Sequence, residues 1–269
     1  MGYDLHVHSI YSDGSLSPRE LIEKAILREL EGIALTDHDA IAGLPEASAV
    51  ATELNFTLIP GIEFTTDLGQ SEVHILGYDF NLHDSALLQK IAAIIESRQE
   101  RARAMVQKLQ RHGIDLAWEK VVQLTTSKFV GRTHIFQALL AEKLINPGVA
   151  KEAFHHYLGK HGLAYIPHRE IDTIEAIELV NAAGGVTVLA HPGRMGNDLL
   201  IHKLVEAGLQ GLEVYYPAHP PQMVQHYLKL AADYGLLVTG GSDYHGIRGQ
   251  NRLGEAQVEQ LPFVLKSLL

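Results

Sequence analysis

Short apolar runs alternate with amphipathic stretches along most of the 269-residue chain. Runs such as Ile33-Ala34-Leu35 and Val186-Thr187-Val188-Leu189 are apolar on both faces, as is typical of parallel strands covered by helices. The strand candidates are residues 3–8, 32–36, 57–64, 73–79, 164–167, 185–190, 211–215 and 236–240. Strands that alternate with helices over about 250 residues predict an α/β fold built on a parallel (β/α) barrel.

Two of the intervening helices have clear N-terminal capping motifs in the sequence. Ser17-Pro18-Arg19-Glu20 offers an N-cap serine, a proline at the first helical position and a glutamate at the third. Asp172-Thr173-Ile174-Glu175 repeats the cap with glutamate at the same offset. Both patterns predict helices that connect successive strands.

Residues 84–162 interrupt the alternation, because they contain no convincing strand. Apolar residues at helical spacing predict one long amphipathic helix there, formed around Leu87, Leu88, Ile91, Ile94, Ile95, Ala102, Met105, Val106 and Leu109. Shorter helices are predicted near residues 116–124, 133–144 and 147–158. We therefore predict a barrel formed by residues 1–83 and 163–269, with a helical insertion, residues 84–162, over its C-terminal rim.

Histidines and carboxylates gather near the ends of the predicted strands. His6 and His8 are two residues apart on the first strand, so both imidazoles point to the same side. The remaining candidates are Asp13, Asp37, His38, Asp39, Glu63, His74, His191, Glu213, Asp243 and His245. The carboxyl ends of barrel strands converge on one rim, where we expect most of these side chains to meet. His74 lies earlier along its strand, and the pattern leaves its position open.

Each motif alone has an ordinary structural explanation. His6 and His8 could be a hydrogen-bonded pair, and Asp37-His38-Asp39 could cap a helix or orient other side chains. Glu63 lies on an apolar strand, where an unpaired carboxylate is costly. Separate explanations would require several coincidences on one rim. Together, the motifs therefore predict a metal site.

The ligand types narrow the metal and the chemistry. The chain has no cysteine, and nitrogen and oxygen ligands suit Mn²⁺, Zn²⁺ or Fe²⁺. Six histidines and at least three carboxylates exceed the needs of one ion, so we expect two or three divalent ions, with Mn²⁺ as first choice. Such clusters favour phosphoester hydrolysis, in which a hydroxide that bridges two metals attacks phosphorus in line. Amide hydrolysis would not need so many ions.

Charge and composition restrict the partners. A formal net charge of −10 argues against a broad basic face for duplex nucleic acid, although it permits a small phosphorylated substrate. No run approaches 18 apolar residues, so we expect neither a membrane span nor a signal peptide. The absence of cysteine fits a cytoplasmic protein, and nothing indicates an obligate protein partner.

The motifs closely resemble those of the PHP (polymerase and histidinol phosphatase) family over nearly the whole chain. They stand in the family's order: His6-X-His8-Ser9, Ser12-Asp13-Gly14, Thr36-Asp37-His38-Asp39, Gly61-Ile62-Glu63, Ala190-His191-Pro192 and Ser242-Asp243-X-His245. The resemblance implies a distorted (β/α)7 TIM-like barrel with a trinuclear metal site. It implies that His6, His8, Glu63 and Asp243 hold one metal. Glu63 would bridge to a second metal held by His74 and His191, and Asp13, His38 and His245 would hold a third.

Within the family, the chain looks like the small stand-alone subgroup that hydrolyses nucleoside 3′,5′-bisphosphates, such as 3′-phosphoadenosine 5′-phosphate, and trims 5′ ends of short RNA. Gly131-Arg132-Thr133-His134 is similar to a motif of that subgroup, which commonly has proline where Thr133 stands. Histidinol-phosphate phosphatase and a non-catalytic metal-binding module are the alternatives.

Substrate contacts are expected from cations outside the metal ligands. Arg132 and His134 open a predicted helix, Arg194 follows a ligand strand, and Lys160 lies on a glycine-flanked turn. The proton for the leaving hydroxyl could come from His191, from Asp243 or from a neighbouring group. On the long helix, a solvated face is expected to carry Arg98, Arg101, Arg103, Lys108 and Arg111.

Overall fold

A computed structural model of the chain describes residues 2–69, 71–146, 150–167, 170–247 and 251–261. Within them the strands are β1 (Tyr3–Val7), β2 (Gly32–Leu35), β3 (Thr57–Leu68), β4 (Ser71–Tyr78), β5 (Val186–Leu189), β6 (Gly211–Tyr215) and β7 (Leu237–Gly240). The helices are α1 (Pro18–Leu27), α2 (Leu44–Leu54), α3 (Ser85–Arg111), α4 (Trp118–Val122), α5 (Arg132–Ala141), α6 (Ala150–Leu158), α7 (Thr173–Ala182), α8 (Pro192–Met195), α9 (Leu199–Glu206) and α10 (Pro221–Tyr234).

The seven strands form one sheet in sequence order from β1 to β7. All neighbours pair in parallel except β4, which runs antiparallel to both β3 and β5. The sheet closes beyond the end of β7, where His8 N donates to the carbonyl of Tyr244 at 2.9 Å. At this closure a Cβ on Gly241 would lie 2.2 Å from His6 Cβ, so only glycine fits. The predicted α/β barrel is confirmed.

The predicted strand at residues 164–167 is wrong. These residues form a turn and irregular backbone, and Ala164 packs against the helices of the predicted insertion. Their short apolar run is therefore explained by burial in a helical core and not by sheet pairing. Short apolar runs of this kind cannot be assigned by periodicity alone.

Neighbouring strand residues face two different layers. Ala34, Ile59 and Val188 belong to a cluster inside the barrel, whereas Ile33 and Leu58, which directly precede the first two, pack outward against helices. Each short strand is thus buried on both faces, which explains its continuous apolar sequence.

The long helix α3 joins two cores. Its first half, with Leu87 and Ile91, packs in the core that contains α1, α2 and β3. Its second half, with Met105 and Leu109, packs with α4, α5 and α6 in a separate cluster. The division into a barrel and an inserted region stays a prediction, and α3 would cross its boundary.

Side-chain caps fix several helix starts as the sequence predicts. Ser17 and Glu20 form a reciprocal capping box at α1 with Pro18 in the first turn. Asp172 accepts from Ile174 N at α7, and Asp84 accepts from Leu87 N at α3. Among the helices of the described residues, none is both long and apolar enough to cross a bilayer.

The Asp4 carboxylate links β1 to the chain beyond β7. It is fully buried and accepts hydrogen bonds from the backbone N of Ser242 and Gly254, each at 2.8 Å, and from the Ser242 hydroxyl. Burial raises its pKa to about 6, although these donors oppose the shift. One side chain therefore satisfies the backbone where the barrel closes.

We expect Asp4→Ala to lower the free energy of unfolding by about 3 kcal/mol, because buried donors lose their acceptor. Urea denaturation of metal-free protein measures this change. Asp4→Asn, which keeps one acceptor oxygen and the volume, should cost less. Equal stability of Asp4→Ala and the parent protein would show that these hydrogen bonds do not hold the closure.

Candidate metal centre

Four residues on or just after three strands form a buried group that we call the inner group: His6, His8, Glu63 and Asp243. Their ligand atoms all lie within 4.8 Å of one another. His6 Nε2 and His8 Nε2 are 3.2 and 3.3 Å from Glu63 Oε2. His8 Nε2 is also 3.3 Å from Asp243 Oδ1. The predicted convergence of the first, third and last strands is therefore present in the structure.

A second group, the outer group, shares His8 with the first and adds Asp13, His38 and His245. Its ligand atoms also lie within 4.8 Å of one another. His245 Nε2 is 3.2 Å from Asp13 Oδ1, and His38 Nε2 is 3.9 Å from the same oxygen. Asp13, His38 and His245 all come from loops that follow strands, so the outer group lies on loops more than on the sheet.

Glu63 also faces a third set of imidazoles. His74 Nδ1 and His191 Nε2 lie 2.7 and 3.1 Å from Glu63 Oε1, and His38 Nδ1 lies 3.0 Å from Oε2. His74 reaches this place because β4 is antiparallel, so the beginning of β4 lies beside the ends of its parallel neighbours. The antiparallel strand explains why a ligand candidate stands early in its strand.

The unsatisfied atoms of these groups fit bound cations. Among the described residues, His6 Nε2, His8 Nε2, Asp13 Oδ1 and Glu63 Oε2 are buried without a hydrogen-bond partner. Buried polar atoms normally have partners, and a site for a bound ion is a recognised reason for exceptions. These four atoms point into the inner and outer groups, and imidazole with carboxylate suits Mn²⁺, Zn²⁺ or Fe²⁺. The residues present therefore fit divalent metal ions.

The charges of the cluster shift its pKa values strongly. Burial opposes the charged form of His74, but Glu63 raises its pKa to about 10. Burial likewise opposes charge on His245, whose pKa Asp13 raises to about 9. His8 behaves in the opposite way, because burial and the neighbouring His245 and His38 lower its pKa to about 3. Without cations, the carboxylates are thus compensated by imidazolium ions.

Glu213, to which sequence reasoning gave no specific role, supports two of the ligand candidates. Glu213 Oε1 is 2.9 Å from His6 Nδ1, and its other oxygen accepts from His191 N at 2.7 Å. A carboxylate on the second nitrogen of a ligand histidine fixes the orientation of the ring. Glu213 lies in the middle of the predicted strand 211–215, and a carboxylate within an apolar strand was the available signal.

Asp37 supports the loop after β1 instead of a ligand imidazole. It accepts from Ser9 N, the Ser9 hydroxyl and the Ser12 hydroxyl at 2.6 to 2.7 Å. These bonds hold the loop that carries Asp13. Neither helix capping nor direct orientation of a ring, the two roles considered from sequence, describes this contact.

Three of the ligand-bearing turns have left-handed backbone at a residue other than glycine. The φ angles are 48° at Asp39, 29° at His191 and 53° at Asp243. Such residues are uncommon and persist where surrounding contacts hold them, often at functional sites. Here each turn redirects the chain at or beside a residue of the cluster.

The metal groups open into a cleft of about 740 Å³. Its lining residues include Asp13, His38, Glu72, His74, Thr133, His191, Arg194, Tyr216, Asp243 and His245. Arg194 Nη1 is 3.2 Å from Asp243 Oδ2, and more than half of its side chain is exposed. The Tyr216 hydroxyl also donates to Asp243 Oδ2, at 3.0 Å, a contact that the sequence did not predict. An exposed guanidinium therefore lies directly beside the inner group.

The other predicted substrate contacts differ in position. Arg132 pairs with Glu72 of the cleft wall at 3.4 Å. His134 is buried, and its Nδ1 accepts from Gly131 N, so it stabilises the start of α5. Lys160 is exposed after α6 and is not among the residues that line the cleft.

The predicted solvated face of α3 is wrong for Arg98 and Arg101. Arg98 is buried and pairs with Asp39 at 2.6 Å, and Arg101 pairs with Glu170 at 3.0 Å. Both positions follow the apolar stripe at helical spacing, since Arg98 lies midway between Ile94 and Ala102. Their positions on the apolar stripe indicated burial, but arginine is usually exposed, and we therefore predicted a solvated face.

A family model for the PHP domain matches residues 4–161. The chain is 32% identical to a 3′,5′-nucleoside bisphosphate phosphatase of Chromobacterium violaceum, over 98% of this chain and 94% of that protein. It is 34% identical to a phosphoribosyl 1,2-cyclic phosphate 1,2-diphosphodiesterase of Eggerthella lenta, over 92% and 95%. It is 35% identical to a 5′-3′ exoribonuclease of Haemophilus influenzae, over 94% and 93%.

A solved structure from Bifidobacterium adolescentis, proposed to be a metal-dependent phosphoesterase, superposes with a TM-score of 0.90. The two chains are 32% identical, and the match covers 100% of this chain and 95% of the other. The whole barrel together with α3 to α6 therefore has a close structural counterpart.

We expect metal binding to release protons at pH 7. The pKa values of about 10 for His74 and about 9 for His245 keep both imidazoles protonated in metal-free protein, whereas a ligand nitrogen must be deprotonated. Titration calorimetry with Mn²⁺, in buffers of different ionisation enthalpy, measures the release, which should decrease as the pH rises from 7 toward 9 because His245 loses its proton. A binding enthalpy independent of the buffer at pH 7 would contradict this charge distribution.

Proposed function

The chain belongs to the PHP domain family, as its motifs predict, and on this premise we propose that it is a metal-dependent phosphoesterase. Its proposed substrates are nucleoside 3′,5′-bisphosphates, such as 3′-phosphoadenosine 5′-phosphate, and short 5′-phosphorylated RNA. The observation that carries the proposal is Glu63, a buried carboxylate within 3.3 Å of five histidine nitrogens, which shares its oxygens among adjoining ligand groups.

We assign the metal ligands by these groups. His6, His8, Glu63 and Asp243 would hold one ion, and Asp13, His38 and His245 would hold another with His8. Glu63, His74 and His191 would hold the remaining ion, because both histidines lie within 3.1 Å of Glu63 Oε1. His38 borders the same site, since its ligand atom lies within 4.8 Å of those of Glu63 and His74. Divalent ions bound there would supply an activated water and would neutralise charge on the phosphoryl oxygens. Mn²⁺ is the first choice, and Zn²⁺ or Fe²⁺ are alternatives with the same ligand preference.

The two proposed catalytic residues, His191 and Asp243, are better suited to holding cations than to donating protons. Burial opposes ionisation of Asp243, but His6 and the neighbouring imidazoles hold its pKa well below its usual value. Asp243 is therefore an anion at neutral pH. Burial lowers the pKa of His191, which is therefore neutral at the same pH and offers a lone pair. Neither group carries a proton that it readily gives up.

Arg194 is the strongest candidate for contact with a substrate phosphate. Its guanidinium combines exposure to the cleft with a position beside the inner group, and a fork of N–H donors matches phosphate oxygens. Arg132 would contact a more distant part of the substrate across Glu72. His134 would affect the substrate only indirectly, because it stabilises the start of α5. Lys160 is the weakest candidate for a substrate contact, because it is not among the residues that line the cleft.

Apolar residues also line the cleft, and they suit a nucleoside. Met195, Ala218 and Ile247 belong to the same lining as Tyr216 and Arg194. A base or ribose would pack against these residues while a phosphate contacts Arg194. Apolar and aromatic lining together with a guanidinium supports a nucleotide as the substrate.

The relatives reported above are named for a nucleoside bisphosphate, a cyclic phosphate and RNA. These names do not favour the histidinol-phosphate alternative. The filled ligand positions do not favour a non-catalytic module. The substrate remains a small nucleotide or short oligonucleotide in this proposal, and a cytoplasmic location stays a prediction of the cysteine-free composition.

A substrate panel tests the proposal directly. Manganese-loaded protein should release inorganic phosphate from 3′-phosphoadenosine 5′-phosphate and mononucleotides from a short 5′-phosphorylated RNA. Phosphoribosyl 1,2-cyclic phosphate and histidinol phosphate complete the panel, and chelator-treated protein is the control. Turnover of only the cyclic phosphate or only histidinol phosphate would replace the proposed substrate, and no turnover at all would overturn the enzymatic proposal.

We expect Arg194→Met to raise KM for the bisphosphate about tenfold, with a smaller effect on kcat, because a charge-assisted contact in a partly exposed site is lost. Steady-state kinetics with the manganese-loaded protein measures both constants. Arg28→Met is the matched control, because Arg28 is exposed just before β2 and so lies at the opposite edge of the sheet. An unchanged KM in Arg194→Met would remove Arg194 from the substrate site.

A further inference from the structure

The inner and outer groups are supported by different parts of the chain. The inner group is held by side chains of the barrel: Glu213 contacts His6, and Tyr216 contacts Asp243. The outer group receives contacts from residues between α3 and α5. This difference is the starting point for assigning a role to that region.

Arg98 of α3 holds the loop that carries His38. Its Nη1 donates to Asp39 Oδ2 at 2.6 Å, and Asp39 Oδ1 accepts from Thr65 N at 3.0 Å. Both oxygens of Asp39 are thus engaged while its backbone is left-handed, with φ 48°. The ion pair is buried, since the Arg98 side chain is 8% exposed and that of Asp39 is fully buried. Arg98 therefore stabilises the turn that follows His38 directly.

The same guanidinium supports a second contact of His38. Arg98 Cζ lies over the Phe129 ring, 4.5 Å from its centroid. Phe129 in turn stacks on His38, with ring centroids 6.5 Å apart and an interplanar angle of 12°. Arg98 acts on the His38 backbone through Asp39 and on the His38 ring through Phe129.

The loop that carries Asp13 is held from the same region. The Thr133 hydroxyl at the start of α5 donates to Asp13 Oδ2 at 3.2 Å, which leaves Oδ1 facing His245. The hydroxyls of Thr126 and Ser127 donate to the carbonyls of Ile10 and Tyr11 at 2.7 and 2.8 Å. Two of the four outer-group ligands, Asp13 and His38, are thus oriented by residues 98–133.

We propose that Arg98 and Thr133 are positioning residues through which the α3–α5 region sets the affinity of the outer group for a divalent cation. The inference rests on the proposed function, because it takes the outer group as a metal site. Loss of such supporting contacts typically weakens metal binding by about 10- to 100-fold. The inner group should keep its affinity, because the contacts described for it come from the barrel.

Equilibrium dialysis against graded Mn²⁺, with bound metal measured by mass spectrometry, tests the proposal. His245→Gln removes an outer-group ligand and identifies the binding step that belongs to this group. Arg98→Met should weaken that same step about 10- to 100-fold and leave the inner-group step unchanged. Arg98→Lys, which keeps the charge opposite Asp39 but not the planar contact with Phe129, should lie between Arg98→Met and the parent protein. Arg111→Met, at the exposed end of the same helix, should match the parent.

Thr133→Val gives an independent variant, because it removes one hydroxyl at constant size and leaves the buried ion pair intact. It should weaken the outer step alone, by up to about tenfold. Circular dichroism establishes that each variant is folded, and Thr133→Val decides the test if Arg98→Met does not fold. An unchanged outer step in folded variants overturns the inference and leaves the phosphoesterase proposal standing.

Two other outcomes separate this inference from the proposed function. If His245→Gln loses no binding step, the outer group is not a metal site, and the inference falls with that assignment. If all binding steps behave as expected but the loaded parent protein releases no phosphate, the phosphoesterase proposal fails and the positioning roles of Arg98 and Thr133 stand.

Discussion

The carboxylate of Glu63 is fully buried, and five histidine nitrogens lie within 3.3 Å of its two oxygens. A buried anion is stable only if nearby positive charge and hydrogen bonds compensate its lost hydration. In the protein without cations, imidazolium groups such as His74 provide that charge. Divalent cations would provide it when bound. Without cations the protonated histidines therefore compensate the charge of Glu63, and with cations bound the surrounding imidazoles would hold the ions that compensate it.

The barrel positions these ligands through contacts on the side away from the metal groups. Glu63 projects from β3, which pairs on both sides, and His6 projects from β1, where Glu213 holds the far side of its ring. Asp4 completes the closure of β1 with the chain that leads to Asp243. Backbone pairing and buried hydrogen bonds thus place the ligands before any cation binds, so less conformational freedom is lost on binding.

Much of the candidate centre could be predicted from sequence because strand ends in a parallel barrel share one rim. The rule located His8, His38, His191 and Asp243 from their places after apolar runs. It left His74 open, because strand direction is not encoded in an apolar run, and only the antiparallel pairing of β4 places His74 beside the others. The parallel barrel followed from the same runs, whereas its seven strands were implied by the resemblance to the PHP family. The runs alone gave an eighth candidate, 164–167, which shows that a helical core can produce an equally apolar sequence.

The supporting residues were harder to predict, because their roles depend on contacts across long sequence separations. Arg98 and Asp39 are 59 residues apart, and no local pattern joins them. Arginine on a helix usually indicates a solvated face, and that expectation concealed the place of Arg98 on the apolar stripe. Glu213 likewise stands in an apolar strand, where only its partner His6, 207 residues away, explains it.

The two ligand groups differ in how firmly the fold holds them, and this difference has consequences for binding. Two inner ligands, His6 and Glu63, belong to paired strands, whereas the outer ligands Asp13, His38 and His245 all belong to loops. A loop ligand keeps more freedom unless other contacts restrain it, and ordering it on binding reduces affinity. The resemblance to the PHP family allows either two or three occupied metal sites. In this chain, occupancy of the outer group should depend on the contacts that restrain its loops, while the inner group has two ligands that the sheet itself holds.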